Sequence, residues 1–173
     1  MRALAPLACL AIIGATLATS PASAQSVPTG CVAEQTASGN QSLRCQTGLA
    51  IVAENGAAFT LHQDGSGQVD AVDLQNKALL LKAPKQHGKA RFQVTTPQAI
   101  AAVRGTKWAV DAQNMKTSVL VLVGRVAVRR PSGSRQVFVG PGEGVDVEGG
   151  ADPLVVKRWP QARVDALLAR LAP

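Results

Sequence analysis

The side chains best arranged for metal chemistry lie in one polar, glycine-rich stretch. Oxygen-bearing side chains alternate along it, at Asp64, Ser66, Gln68 and Asp70. A calcium loop of the EF-hand type begins in the same way, with ligands at its positions 1, 3, 5 and 7. Its position 12 would be Gln75 instead of the usual glutamate, and only two of the four side chains are charged. We therefore predict a plain polar turn and no metal site, with calcium binding as the alternative.

Catalytic groups are sparse in the rest of the sequence. His62 and His87 have no acidic or nucleophilic partner at a useful spacing, and His62 at a strand end is typical of a surface residue. There is no Gly-x-Ser-x-Gly elbow, no His-Glu-x-x-His motif and no cysteine beside a base. Residues 140–144 are glycine-rich but lack the Lys-Ser/Thr pair of a phosphate-binding loop. We predict no catalytic residue, no cofactor and no enzymatic activity.

The first residues have the features of a cleavable export signal. Arg2 supplies a positive charge, residues 4–18 are almost entirely apolar, and Ala22-Ser23-Ala24 matches a signal-peptidase site. The apolar run is shorter than the ~20 residues that span a bilayer. Although Cys9 lies in a sequence similar to a lipobox, the apolar region follows it instead of preceding it. We predict cleavage after Ala24 and a periplasmic or secreted mature chain.

Two cysteines, Cys31 and Cys45, remain after the predicted cleavage. Cysteine pairs in an oxidising compartment usually form a disulfide. A bridge here would close a loop of about 15 residues, which corresponds to about 3 kcal/mol in the chain-entropy treatment. A metal pair is the alternative, but no histidine lies nearby to complete it. We predict a disulfide that holds the polar segment between the two cysteines.

Composition favours one all-β domain. The 16 glycines, ten prolines and many valines are typical of short strands and tight turns. The formal net charge is +7, and aromatic residues make up only 3%. Low aromatic content disfavours the stacking that single-stranded nucleic acids require, and export disfavours DNA, so we predict no nucleic-acid partner. The positive charge favours solubility, with peripheral contact to an anionic membrane or polymer as the alternative.

Alternating and periodic apolar residues predict the elements. We expect a hairpin around Asn55-Gly56, a short strand at Ala78–Lys82, and a buried strand at Thr117–Val123 because both of its faces are apolar. A type II′ turn at Gly124-Arg125 would lead into the next strand. The fold is then a β-sandwich or a short β-solenoid-like stack of strands.

The last residues predict one short amphipathic helix. Pro160 suits the first helical position. Four apolar residues then share one face, at Val164, Leu167, Leu168 and Leu171. We expect this helix to cover an open end of the sheets, because so short a helix is marginal alone in water; binding of a partner is the alternative.

The sequence Arg104-Gly105-Thr106 has two interpretations. Arg104 could present its planar donors to a partner. Alternatively, Gly105 permits a tight bend, Thr106 forms local hydrogen bonds, and Arg104 pairs with a carboxylate such as Asp111. We favour the structural interpretation, since glycine at a strand corner usually serves the backbone.

These residues belong to an ordered set of motifs. The set contains Thr96, Pro97, Val103, Arg104, Gly105, Thr106, Gly124, Gly140, Gly142 and Gly144. Over residues 45–147 the chain resembles the FecR-like domain, a β-rich module exported across bacterial inner membranes. The cytoplasmic anti-sigma segment and the membrane helix of the iron-citrate regulators in this family have no counterpart in the sequence. The resemblance therefore implies a periplasmic interaction or sensing module, and does not carry over the sigma-binding activity.

We accordingly divide the chain into four parts. These are a signal peptide (residues 1–24), a disulfide-clipped segment (25–46), a FecR-like β domain (47–150), and a linker with the helix (151–173). The expected function is non-catalytic binding of an envelope protein in signalling or assembly. The alternative is binding of an anionic envelope polymer or lipid head groups through a basic surface.

Overall fold

A computed structural model of the chain describes residues 27–85 and 91–172. The predicted signal peptide, with Ala24 and Cys9, lies outside these residues, as does His87. The described residues form the strands β1 (Cys31–Gln35), β2 (Gln41–Cys45), β3 (Ala50–Ala53), β4 (Ala58–Gln63), β5 (Val69–Lys82), β6 (Phe92–Thr95), β7 (Ile100–Val103), β8 (Lys107–Gln113), β9 (Lys116–Val123), β10 (Val126–Arg129), β11 (Gln136–Val139), β12 (Glu143–Glu148) and β13 (Val156–Arg158), followed by the helix α1 (Gln161–Arg170).

The strands form one nearly closed sheet whose two halves face each other across the core. We call these halves the first and the second sheet. The first sheet has the order β1-β2-β3-β5-β8-β9-β12-β13, and the second has the order β4-β5-β6-β7-β10-β11, so that β5 belongs to both. On the far side, β11 contacts β12 and β13 and brings the free ends of the two sheets together. The prediction of an all-β fold is confirmed, and the two facing layers favour the sandwich over the solenoid-like alternative.

The long strand β5 passes from one sheet to the other at a bulge. Its first half pairs with β4 and β6, and its second half, from Lys77 to Lys82, pairs with β3 and β8. At the change of sheet the register shifts, and Lys77 adopts a left-handed conformation with φ of 61°. The predicted strand Ala78–Lys82 is therefore only the second half of β5.

The predicted hairpin at Asn55-Gly56 is wrong. The flanking strands β3 and β4 both pair with β5, at different halves of it, and not with each other. Asn55-Gly56 is thus a corner between the two sheets. Asn55 donates its backbone N–H to Asn40 Oδ1 at 2.9 Å, and the turn is closed by the Ala57 N–H on the Glu54 carbonyl at 2.8 Å.

Further along the chain, pairs of strands alternate between the two sheets. The hairpins β6–β7 and β10–β11 lie in the second sheet, whereas β8–β9 and β12–β13 lie in the first. The connections between these hairpins are corners that cross the edge of the core. Gly124 is one such corner, because β9 and β10 do not pair with each other. The type II′ turn that we predicted at Gly124-Arg125 therefore does not close a hairpin between β9 and β10.

Side chains facing inward from both sheets build the main core. Trp108 is its largest fully buried side chain, and β5 contributes to both layers through Val72 and Leu74 on one side and Leu79 and Leu81 on the other. Each of these side chains is 0% exposed. Burial of one such side chain contributes about 1.5–3 kcal/mol. Two-layer packing of this kind is therefore the main source of stability.

The helix α1 covers the outer face of the first sheet. Val164, Leu167 and Leu171 pack against Leu120, which points outward from β9 while its neighbours Val119 and Val121 point into the main core. The prediction that both faces of this strand are buried is confirmed from Thr117 to Val121, whereas Val123 at the strand end is 58% exposed. The predicted place of the helix is wrong, because it lies across a sheet face and not over an open end. The cause is the apolar outer face of the first sheet, which must be covered. Pro160, which we expected at the first helical position, is the N-cap of α1.

Arg170, in the last turn of α1, fastens the helix to two points on the first sheet. Its Nη2 lies 2.6 Å from Glu54 Oε2, and its Nη1 lies 2.7 Å from Asp111 Oδ2. The side chains of Glu54 and Asp111 are only 19% and 18% exposed. Hydrogen bonds to Asp111 and Glu54 raise the pKa of Arg170 above its ordinary value, so its guanidinium remains charged.

Arg163, in the first turn of α1, makes a second fastening. Its Nη2 donates to Asp146 Oδ1 at 2.6 Å, and its guanidinium carbon lies 3.5 Å from the centroid of the Trp159 ring. Ser118 Oγ donates to the same Asp146 oxygen at 2.6 Å. Burial alone would raise the pKa of Asp146, but the hydrogen bonds from Arg163 and Ser118 outweigh it and lower that pKa below its ordinary value.

The disulfide-clipped segment holds the end of the helix. The predicted bond between Cys31 and Cys45 is confirmed, and the two cysteines are partners in the β1–β2 register. Asn40, in the turn of this hairpin, is only 3% exposed. Its Nδ2 donates to the carbonyl oxygens of Arg170 and Ala172 at 3.0 and 2.8 Å. Asn40 therefore satisfies carbonyls that the helix end leaves without partners.

The substitution Arg170→Ala should lower the free energy of unfolding by about 2 kcal/mol, since it leaves two poorly exposed carboxylates without their counter-charge. Urea unfolding followed by tryptophan fluorescence measures this. Arg135→Ala is the control, because Arg135 is exposed in the β10–β11 turn. Equal unfolding midpoints for the two variants would contradict the role of Arg170.

Acidification should reveal the Asp146 interaction. A carboxyl whose pKa is lowered by folding contributes stability above its unfolded pKa of about 3.9, and loses that contribution as the pH falls through the folded pKa. The stability difference between the wild type and Asp146→Asn should therefore be full above about pH 5 and shrink as the pH falls below about 4. Urea unfolding at a series of pH values measures it, and a difference that stays constant down to acidic pH would contradict the assignment.

Candidate functional site

The Thr96-Pro97 part of the motif forms the turn between β6 and β7. Thr96 Oγ1 accepts the Ala99 N–H at 2.9 Å and lies 2.7 Å from the hydroxyl of Thr117 in β9. Thr96 and Thr117 are both buried. Because β6 and β9 belong to different sheets, this hydroxyl pair joins the two layers at the end of the core. The turn therefore has a structural role.

Two corners of the chain pack against each other at Gly105 and Gly124. Gly105 has φ of 60°, and Gly124 has φ of 89°, a region that residues with a Cβ atom rarely adopt. A Cβ atom on Gly124 would also lie 2.6 Å from Thr106 Cγ2. Thr106 is buried at this contact, and no hydrogen bond to its hydroxyl is found in the described residues. The expected local hydrogen bond of Thr106 is therefore absent from that part of the chain, and Thr106 acts through packing.

The expected pairing of Arg104 with Asp111 is wrong. Asp111 lies on the outer face of the first sheet, where Arg170 occupies both of its oxygens at 2.7 and 3.1 Å. Arg104 is exposed at the edge of the second sheet. Asp111 points to the same side of β8 as the residues beneath α1. Strand alternation could therefore have predicted that Asp111 and Arg104 do not meet.

The closing glycines of the motif support Trp159. The Gly142 N–H donates to the Val121 carbonyl at 2.8 Å, and the Gly142 carbonyl accepts the Trp159 N–H at 3.1 Å. A Cβ atom on Gly144 would lie 2.3 Å from the Trp159 indole. Gly140 donates its N–H to Glu143 Oε2 at 2.8 Å. These glycines therefore allow the last corner and the indole to fit together.

Three arginines lie side by side at the ends of neighbouring strands of the second sheet. Arg91 precedes β6, Arg104 follows β7 and Arg125 precedes β10. The residues adjacent to them along the chain are register partners, which places the three arginines on neighbouring strands at the same level. All three are exposed. The alignment depends on strand register, so the sequence alone did not reveal it.

These arginines border a shallow groove on the outer face of the second sheet. Its floor is made by the small side chains of Ala102 and Ala127, and its wall is Phe138, which is 54% exposed. The Arg125 guanidinium carbon lies 6.0 Å from the centre of the Phe138 ring. The groove has a volume of about 210 Å³. We call it the arginine groove; it is lined by Arg91, Ala102, Val103, Arg104, Arg125, Ala127 and Phe138.

The candidate calcium loop is a turn between β4 and β5. Asp64 Oδ1 accepts hydrogen bonds from the Ser66 N–H, the Ser66 hydroxyl and the Gln68 N–H at 2.8, 2.6 and 3.1 Å. The Ser66 hydroxyl and these backbone groups lower the pKa of Asp64 below its ordinary value. One carboxylate oxygen thus serves the turn itself. In the described part of the chain, no group of three His, Cys, Asp or Glu side chains could hold a metal.

His62 has a partner that the spacing did not reveal. Its Nε2 lies 2.7 Å from Asp73 Oδ2 across the β4–β5 pair. The side chains are 49% and 40% exposed, so water competes with this interaction. The expectation of an unpartnered His62 is wrong, while its predicted position at the surface agrees with the structure.

A larger cleft of about 520 Å³ opens between β1–β3 and β4. It exists because the first sheet extends beyond β3 by two strands, whereas the second sheet ends at β4. Leu43, Ile51 and Leu61 are among the apolar side chains that line it, with Glu34 and Glu54 among the polar ones.

Comparison with known proteins finds one matching family model. Residues 57–127, from the start of β4 to the first residues of β10, match the family model described as FecR protein. The resemblance inferred from the motifs is therefore confirmed over this region, which contains Arg104, Gly105 and Gly124. No curated protein matches the chain.

Solved structures share the fold. Two crystal structures of a proposed anti-sigma factor from Parabacteroides distasonis ATCC 8503, at 1.65 and 2.50 Å resolution, each align with a TM-score of 0.50 and 20% sequence identity. The alignments cover 83% of this chain and 63% and 62% of the other chains, so this chain spans less than two thirds of their length. At this identity the likeness establishes the fold alone. Within residues 27–85 and 91–172, no helix has the length and hydropathy of a membrane span.

The substitution Gly124→Ala should lower the free energy of unfolding by about 2 kcal/mol, because it combines an unfavourable φ with a close contact to Thr106. Gly149→Ala is the matched control, since a Cβ atom there meets nothing within 4 Å. Its effect should stay within about 0.5 kcal/mol. Chemical denaturation of both variants measures the difference, and a Gly124→Ala variant as stable as the control would refute this role of the corner.

Proposed function

We propose that this protein is an exported, non-catalytic FecR-like module that binds another protein of the cell envelope in signalling or assembly. The observation that carries the proposal is the FecR match over residues 57–127. The anti-sigma description of the structural neighbours supports a regulatory role through protein contacts. In this proposal residues 1–24 are the signal peptide, residues 25–46 and 151–173 support the fold, and residues 47–150 form the binding domain.

The disulfide supports the proposed location. A bond between Cys31 and Cys45 persists in oxidising compartments such as the periplasm and is rare in the cytosol. The sequence of residues 1–24, with its site at Ala24, supports delivery to that compartment. Both observations support our proposal that the protein acts in the periplasm or outside the cell.

A second candidate function follows from the exposed arginines of the second sheet. Arg91, Arg104 and Arg125 could attract an anionic envelope polymer or lipid head groups. Such attraction between exposed charges is screened strongly at physiological salt. A protein interface that also buries apolar surface retains more of its affinity under these conditions.

Capture from the cell envelope tests the proposed function. The full chain, tagged at its C-terminus, is expressed in a Gram-negative bacterium, cross-linked, and purified from the periplasmic fraction at increasing salt. We expect the processed chain to retain a small, reproducible set of envelope proteins at physiological salt, in amounts that saturate. The same chain unfolded before mixing with the extract is the control.

Two outcomes would contradict the proposal. Recovery of the chain only from the cytosol would remove the premise of export. Indiscriminate capture that disappears between low and physiological salt would instead favour the anionic polymer or lipid.

A further inference from the structure

We propose that the arginine groove binds an acidic segment of a partner protein, in which an apolar side chain neighbours the carboxylates. This inference rests on the proposed function and deepens it, because it names the surface and the chemistry of the partner. The groove lies within or beside the FecR-matched residues 57–127, with Phe138 contributed by the next strand.

The first argument is the alignment of like charges. Arg91, Arg104 and Arg125 leave neighbouring strands at the same level, where like charges facing each other destabilise a sheet. Among the described residues that line the groove, none carries a carboxylate. Features that cost stability locally are typical of functional sites. An acidic ligand would convert the repulsion among the arginines into attraction.

The second argument is the contrast with other arginines. Arg129 Nη1 donates to the carbonyls of Arg130 and Pro131, each at 3.3 Å, and Arg130 donates to the carbonyls of Glu148 and Asp152 at 3.2 and 2.7 Å. These two guanidinium groups are used in fixing the chain.

Two of the groove arginines differ from this pattern. Within the described residues, Arg91 and Arg125 form no ion pair, and the contact found for Arg125 is with the Phe138 ring. Their donors can therefore meet a ligand without breaking an ion pair between described residues.

The third argument is the composition of the surrounding face. The outward residues of β6, β7, β10 and β11 include no aspartate or glutamate; they are Gln93, Thr95, Ile100, Ala102, Ala127, Arg129, Gln136 and Phe138. An approaching acidic segment therefore meets no repulsive charge on these four strands. Guanidinium groups bind carboxylates through two parallel hydrogen bonds, which gives direction as well as attraction.

Phe138 distinguishes a protein ligand from a simple polyanion. It is 54% exposed, and it stands over a floor of alanine side chains that leaves room for an inserted group. Exposed aromatic residues and arginines together are typical of the centres of protein interfaces. A sugar-phosphate or sulfated polymer gains little from the phenyl ring. A peptide with a leucine or similar residue beside its carboxylates would use both parts of the groove.

Two synthetic peptides test this proposal directly. One short fluorescein-labelled peptide alternates glutamate with leucine, and the other replaces every leucine with serine while keeping the charge. Fluorescence anisotropy at physiological salt measures their binding to the full chain. We expect tighter binding of the leucine peptide. Replacement of Arg91, Arg104 and Arg125 together by glutamine should weaken it about tenfold or more.

A matched triple variant controls for net charge. Arg44→Gln, Lys82→Gln and Lys157→Gln together remove the same charge from exposed positions of the first sheet, and should leave affinity unchanged within about twofold. Phe138→Ala should remove the preference for leucine over serine while leaving salt-sensitive binding. Thermal unfolding of each variant checks that the fold is retained, which we expect because every substituted side chain is exposed.

Several results would overturn the proposal. The first is an equal loss of affinity for the leucine peptide in the two triple variants. The others are equal affinity of the wild type for the two peptides, and unchanged binding by the variant in which Arg91, Arg104 and Arg125 are replaced. Tighter binding to heparin or to phosphatidylglycerol vesicles than to the leucine peptide would also overturn it, in favour of a polyanion or a membrane.

The envelope capture separates this inference from the proposed function. If a selective partner is retained equally by the groove variant, the inference about the groove is wrong and the proposed function stands. If no selective partner is captured although the peptides bind as expected, the proposed function fails while the groove remains a site for acidic peptides.

Discussion

A single strand, β5, joins the two layers of this protein, and the remaining strands are placed by their order on either side of it. Its first half carries Val72 and Leu74 into the core from one sheet, and its second half carries Leu79 and Leu81 from the other. The strand can do this only because it bends at the bulge near Lys77. Any partner that docks on the second sheet therefore docks on a layer whose position is fixed by the first.

The glycine motif has a simple physical origin in this arrangement. Pairs of strands alternate between sheets, and each crossing needs a corner tight enough to stay at the edge of the core. At Gly105 and Gly124 the backbone takes positive φ values, and a Cβ atom on Gly124 would collide with Thr106 of the other corner. Arg104 sits beside this corner as an exposed residue. The most recognisable stretch of the sequence thus combines a structural glycine with an exposed arginine.

Features that depend on local pattern were predictable from the sequence, and features that depend on register were not. The disulfide, the strand β9 with two buried faces, and the apolar face of α1 followed from spacing alone. The predicted hairpin at Asn55-Gly56 is wrong, and the predicted type II′ turn at Gly124 joins two sheets, because the same local chemistry serves a hairpin and a corner. The first half of β5 was missed because Asp70 and Asp73 interrupt its apolar residues. Arg91, Arg104 and Arg125 are distant in sequence, and only the pairing of three strands brings them together.

The loop that the disulfide closes contains Asn40, whose side chain holds the last carbonyls of α1. Before Cys31 and Cys45 are joined, this hairpin lacks about 3 kcal/mol of support, and the end of the helix is anchored less firmly. If the protein is exported as proposed, the newly made chain in the reducing cytosol is easier to keep unfolded for threading through a translocation channel. Oxidation of the two cysteines after translocation then stabilises the folded chain. The disulfide would thus stabilise the fold only after the chain has been exported.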